Sequence, residues 1–455
     1  MKSSGPPIEF YRSELSKFGH EGAGPKSARV GELRQDANTR FADMKFPTTN
    51  HEAWRHTDVT PILETPFALA KRSPEISTRA LESVVSWMEP ANHLTFVNGH
   101  HSPVLSPRRQ LPGGVIAGSL AESHIATSSL LESHLGRYAD YGDQPFVALN
   151  TAFLNDGAFI YLPANSTIAE PILVVFISDA PAGPTVSHPR VLIVAGPSSR
   201  ATVIESYVGL KDDLYFTNAV TEVVVGEDAV LDHHLLQQES RAAYHIATLA
   251  VHQGRNSTFT SHSLAIGGAL DRSEIRALLA DEGSTCTLRG VYAATGRQHV
   301  DIHTRIEHAK PRCASLQLYK GILSGQASGA FTGRILVRQD AHKTDARQTN
   351  NNLLLSEDAV VHTTPQLEIL ADDVKCTHGA TVGQLDRDVL FYLRSRGIGL
   401  ESARRLMTEA FSSELIRLIA QDRIRNRFTE LLAHIIHDGS SRNRQDATRD
   451  GHAEP

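Results

Sequence analysis

The stretch Ser199–Ala229, SRATVIESYVGLKDDLYFTNAVTEVVVGEDA, decides the fold. A polar turn leads into a small residue at Ala201, a run rich in Val, Ile and Thr follows, and Gly209-Leu-Lys-Asp-Asp213 interrupts it. A second such run, ending in Val220-Thr-Glu-Val-Val-Val225, meets another polar turn at Glu227-Asp228-Ala229. Short β-branched runs bounded by turn residues are the strand signature. The unit then returns. Arg255-Asn256-Ser257 and Gly283-Ser284-Thr285 put Ala201, Ala229, Ser257 and Thr285 at successive steps of 28 residues. Arg312-Cys313-Ala314 and Gln339-Asp340-Ala341 continue with steps of 29 and 27. A fixed period without fixed letters means stacked units, each burying its apolar face on the next. A β-helix solenoid and a long antiparallel sandwich or barrel both satisfy this. The repeat turns lack the Asn-Gly of tight hairpins, which favours the solenoid.

Outward from this stretch, β-rich runs extend from about Leu94 to Gly383, including Ile172-Leu-Val-Val-Phe-Ile177 and Val191-Leu-Ile-Val194. We therefore divide the chain into an N-terminal helical domain (1–90), a β core (91–384), a C-terminal helical domain (385–437) and a disordered polar tail (438–455). In the first zone, Ile8 to Phe18 and Val30 to Met44 carry apolar residues at helical spacing; breaks fall at Gly22-Ala-Gly-Pro25 and Phe46-Pro47. In the third, a helix through Asp388–Arg396 stops at Gly397, with arginines in its last turn. An amphipathic stripe over Leu400–Ala420 and a further helix over Ile424–Ile436 follow.

The 455 residues carry 45 Lys and Arg against 51 Asp and Glu, a net charge of −6. With a pI near 6.4, this argues against non-specific nucleic-acid binding, while a local basic patch stays open. Three cysteines cannot form a disulfide framework. The N-terminus has no apolar h-region, and the longest apolar run, Ile172–Ile177, is far short of a membrane span. The expectation is a cytoplasmic protein without membrane contact.

The densest chemistry lies at Ala371-Asp-Asp-Val-Lys-Cys-Thr-His-Gly-Ala-Thr-Val-Gly383. Cys376 and His378 are two apart in a strand and so share a face. A thiolate beside an imidazole suits iron or zinc, and Lys375 with the histidine would lower the thiol pKa. Two ligands do not close a site. Either other segments or a second protein complete it, or Cys376 is a core residue beside an exposed histidine. Cys286 reads as core-facing and Cys313 as turn-borne. His100-His101 and His233-His234 alternate across their strands and read as solvated or locally bonded; His299 and His303 read as structural. Asp340, Asp345, Asp372 and Asp373 read as turn carboxylates on solvated loops. No P-loop, GxGxxG, HExxH or GxSxG is present, so the chain does not read as an enzyme.

From Asp345 to Phe411 the sequence resembles the SufB/SufD family of iron–sulfur cluster assembly scaffolds. The resemblance is carried by Gln348-Thr-Asn-Asn-Asn-Leu-Leu-Leu-Ser356, Thr364-Pro-Gln-Leu-Glu-Ile369, Asp372–Gly383, Leu390-Phe-Tyr-Leu-Arg-Ser-Arg-Gly-Ile398 and Ala403-Arg404. Upstream, Pro47-Thr-Thr-Asn-His-Glu-Ala-Trp-Arg-His-Thr57 is similar to the pre-core segment of the SufD branch, and Gly379 departs from the glutamate usual in the SufB branch. The resemblance implies a right-handed parallel β-helix flanked by N- and C-terminal α-helical domains. It also implies a non-catalytic scaffold subunit that pairs with a SufB-like protein. A nascent Fe–S cluster would form at their joint, with His378 contributing and Cys376 in a supporting role. A SufC-like ATPase would dock on the C-terminal helical domain, with Leu400–Ala420 as a candidate docking element or a cap for the open solenoid end. Flavin binding and homodimerisation of the isolated chain are left open. The alternatives are a SufB-type sulfur acceptor, using Cys376 or Cys286, and a β-helix polysaccharide lyase drawing on turn carboxylates with Arg338 or Lys343.

Overall fold

The computed structural model describes residues 7–20, 28–72, 84–88, 92–107, 111–122, 125–180 and 183–449. Successive long strands alternate between two parallel sheets. One sheet runs through Arg190–Ala195, Tyr215–Val225, Tyr244–Gln253, Leu270–Leu279, His299–His308 and Ser328–Val337 to Val360–Ile369. The other runs through Ile172–Ser178, Arg200–Gly209, Val230–Gln238, Thr258–Ala265, Thr285–Ala294, Ala314–Leu323 and Asp345–Leu354 to Lys375–Gly383. The core is a parallel β-solenoid, as the repeat predicts.

The turns explain the period. Each carries one residue at positive φ: Ser198, Asp228, Asn256, Gly283, Arg312, Lys343 and Asp373. Asn, Asp and Gly tolerate that conformation best, which is why such residues mark the turns. The turns also bond to one another, Ser198 N–H to Glu227 O at 2.7 Å and Asp228 N–H to Arg255 O at 2.9 Å. A small buried residue follows all but the last, among them Ala229, Ser257, Ser284 and Cys313, whereas Asp373 is followed by the partly buried Val374. The sixth unit departs from the expected step. Its left-handed residue is Lys343 rather than a neighbour of Asp340, because an extra turn precedes it.

Lumenal side chains, including Val203, Val223, Leu231, Phe259, Leu288 and Ile302, form the main core. The outer face of the first sheet is covered from the N-terminal side. Tyr11, Phe18, Phe41, Phe46 and Phe67 pack with Phe146, Phe216, Ile246 and Leu270. The two expected N-terminal helices are Pro7–His20 and Ala28–Asp43; the Gly22–Pro25 break lies outside the described residues. The β zone also holds two helices that its strand-like character hides, Ile125–His134 and Pro145–Ala152.

The outer face of the second sheet is covered by the C-terminal helices. Ile204, Leu236, Leu264 and Val291 pack with Leu415, Ile419, Phe428 and Leu432. Leu400–Ile416 thus lies along the flank and does not cap the solenoid end. Lys320, deeply buried, fixes it through Glu414 and the carbonyl of Phe411. The last helix runs Asp422–Arg449, well into the segment read as a disordered tail. Within 438–449 the helix holds no proline and three arginines, which are helix-competent; residues 450–455 lie outside the described part. Among the described residues, no helix is long and apolar enough to cross a membrane.

Candidate functional site at the open end of the solenoid

The solenoid ends on the strand Lys375–Gly383, whose one sheet neighbour is Asp345–Leu354. Cys376 stacks on Ala346, Ser315 and Cys286, so it belongs to a lumenal column. It packs partly against the cluster of Ile335, Val337, Ala341, Ala346 and Ala371. His378, two residues on, shares that face and is exposed because no further turn covers it. The two candidate ligands therefore sit side by side at the mouth of the lumen. Among the described residues, no group of three His, Cys, Asp or Glu side chains is arranged to hold a metal ion.

The thiol is not activated as expected. Partial burial pushes the Cys376 pKa up, and Asp345 beside it adds to the shift. Lys375 lies one residue away and so points to the opposite face. A raised pKa favours the protonated thiol, and a metal bound there would have to displace that proton.

The backbone of this strand carries the other half of the geometry. The Lys375 N–H bonds back to Thr344 O at 2.8 Å. In a parallel ladder the direction alternates, so Cys376, His378, Ala380 and Val382 turn their N–H and C=O groups to the free edge. The companion edge, Val360–Ile369, has the same phase, with Val360 N–H bonded back to Ala327 O. There Pro365 falls on a free-edge position and removes a donor, a usual device against edge pairing. The edge carrying Cys376 and His378 has no such block.

The other candidates are structural. Cys286 is buried in the lumen and its thiol is pushed up to about 12 by burial. Cys313 occupies the small-residue turn position, 3.3 Å from Ser284 Oγ. The His233-His234 pair is bonded or packed, not solvated. His233 bonds Glu205 and Ser261 inside the lumen, both at 3.0 Å, while His234 stacks on His262 and meets Phe428. His101 is buried and bonds Glu122 at 3.1 Å; His100 is half-buried near Ala70 O. Arg338 and Lys343 form surface ion pairs with Glu307 and Asp373.

The Pro47–Thr57 segment proves to be a strap across the outer face of the first sheet. The Arg272 guanidinium lies 3.7 Å from the Trp54 ring centre, and Thr57 donates to Asp301, the partner of Arg272. His56 stacks on His362 at 4.0 Å. These contacts link residues more than two hundred positions apart, so no local pattern could announce them. Likewise, Asn350 and Asn352 of the Gln348–Ser356 string are buried. Asn352 bonds Asn350 Oδ1 at 2.7 Å and accepts from Tyr292.

Comparison with protein families gives this end of the molecule its context. The model of the SUF system FeS cluster assembly SufBD core domain matches residues 176–411, and that of the SufBD protein N-terminal region matches 20–174. The chain belongs to the SufBD family. It is 32% identical over 419 residues to an iron–sulfur cluster assembly SufBD family protein of Synechocystis sp., covering 90% of this chain and 92% of that one. The iron–sulfur cluster assembly protein SufD of Escherichia coli is 32% identical over 392 residues, covering 86% and 88%. SufD of Bacillus subtilis is 27% identical, covering 70% and 73%. In this SufBD protein the core-domain match spans both candidate ligands and the open edge.

Proposed function

We propose that this SufBD protein is a non-catalytic scaffold subunit, of SufD type, in a complex that assembles iron–sulfur clusters in the cytoplasm. It pairs with a SufB-like protein through the open edge of Lys375–Gly383, and His378, with Cys376 beside it, contributes to a nascent cluster held between the two chains. The observation that carries this reading is the coincidence of two half-complete features on one strand: a pair of soft-metal donors short of a coordination sphere, and an unblocked backbone edge. A strand added there would lie about 4.8 Å away, close enough to bring its own side chains against His378. The raised thiol pKa of Cys376 suits a supporting ligand better than a sulfur-accepting nucleophile.

A SufC-like ATPase docks on the C-terminal helices. Support comes from Arg387–Ser395, which buries none of its side chains and leaves Phe391 75% and Tyr392 56% exposed. Leu400 and Leu406 extend the apolar surface. The test is anaerobic reconstitution with Fe²⁺ and sulfide of this chain alone, the SufB-like protein alone, and the co-purified complex. A stable visible chromophore in the complex, well above the sum of the separate chains, is expected. Equal loading of the SufB-like protein alone would place the site wholly outside this chain.

A further inference from the structure

Inside the lumen, the residue stacked against His378 on the preceding strand is Gln348, and the next is Gln317. Both are buried, Gln348 at 1% exposure and Gln317 at 0%. Thr304 donates to Gln317 Oε1 at 2.6 Å. Among the described residues, Gln317 Nε2 and both polar atoms of Gln348 have no hydrogen-bond partner. A buried amide left wholly unpaired is uncommon and calls for a reason. The site is also shaped to keep it. A Cβ built on Gly333, across the lumen, would meet Gln348 Nε2 at 1.3 Å, so glycine there leaves the amide its room. The adjacent column under Cys376 is Ala346, with no polar group to offer.

A histidine that gives one ring nitrogen to a metal carries its proton on the other. That N–H is almost always bonded to an oxygen, which fixes the tautomer and the ring plane. We propose that Gln348 is the positioning residue for His378. With the imidazole turned over the lumen mouth, Gln348 Oε1 accepts its second N–H, and Gln348 Nε2 donates to Gln317 Oε1, which already accepts from Thr304. The three stacked polar residues then form one chain of hydrogen bonds ending on the ligand. The inference rests on the reading of His378 as a cluster ligand. It adds that the amide beneath sets which ring nitrogen faces the cluster.

The test uses the complex with the SufB-like and SufC-like proteins, reconstituted with Fe²⁺ and sulfide, and compares wild type, His378→Ala, Gln348→Met and Gln348→Glu. Two quantities are read: the chelator concentration that removes half the iron, and the histidine nitrogen coupling in pulsed EPR of the reduced cluster. Gln348→Met is expected to lose iron at about ten-fold lower chelator or less, in line with outer-shell substitutions, and to alter the nitrogen coupling. Gln348→Glu, which keeps an acceptor, should restore retention. If His378→Ala abolishes the nitrogen coupling while Gln348→Met matches wild type in both readouts, the positioning role is overturned and the ligand role stands. If His378→Ala retains the coupling, the ligand role itself fails. Should Gln348→Met not fold, Gln348→Ala, which removes the acceptor and adds no bulk beside Gly333, takes its place and is read by the same two criteria.

Discussion

The substitution Ala380→Pro separates the free edge from everything else the terminal strand does. Ala380 shares the phase of His378, so its N–H points away from the neighbouring strand Asp345–Leu354 and takes no part in the chain's own ladder. Proline at this position removes one donor from the free edge and puts its ring into the gap where a partner strand would lie. Cys376, His378, Ala380 and Val382 each offer an N–H and a C=O there. At about 1 kcal/mol net per hydrogen bond, breaking the ladder at its third residue forfeits roughly half of it, about 4 kcal/mol, or about a thousandfold in Kd. Thr381→Pro is the contrasting variant, because its N–H faces the chain's own sheet. It should lower the unfolding temperature, whereas Ala380→Pro should leave it nearly unchanged. Analytical ultracentrifugation with the SufB-like protein reads the affinity. A Kd for Ala380→Pro within threefold of wild type would refute the edge as the joint.

Other consequences follow from residues far from the edge. Burial holds His188 at about 3 and His262 and His308 at about 4. Their folded pKa values lie below the unfolded value near 6.5, so the unfolded chain takes up protons that the folded chain refuses. The stability they confer is complete above pH 6.5 and is lost as the pH falls toward 4, about 2 kcal/mol per histidine by pH 5. His245, where burial is opposed by Glu239 together with Asp271 and Glu205 and the sum is upward, acts in the opposite sense. Denaturant unfolding at pH 7.5 and 5.0 should show the loss, and equal midpoints would contradict it. Glu222 is fully buried against Arg190 and also accepts from the backbone N–H groups of Gly136, Tyr138 and Ala139. Glu222→Ala leaves that guanidinium uncompensated and should cost about 3–5 kcal/mol, seen as a lower midpoint in urea. Phe391→Asp should abolish capture of the SufC-like ATPase while the melting temperature stays at the wild-type value, since the ring is exposed.

The architecture was legible because its cause is local and repeated. All but the last turn pair one left-handed residue with a small buried one, and Glu227-Asp228-Ala229 or Arg255-Asn256-Ser257 display that chemistry openly. The regularity failed where the chain found another way to turn, at Ala341–Thr344. Helices were read well where an apolar stripe faces a sheet, and the extent of Asp422–Arg449 was missed because its distal part has no apolar stripe to reveal it. For the candidate site, spacing alone put Cys376 and His378 on one face, which the structure bears out. The thiol pKa departs from the expectation because Cys376 is partly buried over Ala346, which raises it, and Asp345 adds to the shift, whereas Lys375 lies on the opposite face of the strand. The strap contacts of Trp54 and Thr57, and Gln348 under His378, depend on register between distant strands. Family resemblance pointed to those stretches without giving their roles; only the pairing of strands supplies them.

His378 is proposed to hold part of a cluster shared between two chains. This is tested most directly by the iron and acid-labile sulfide content of the complex, reconstituted anaerobically with wild type or His378→Ala at matched subunit stoichiometry. An intact complex is expected in both cases, with cluster content falling several-fold in the variant. Equal iron and sulfide in the two complexes would contradict it.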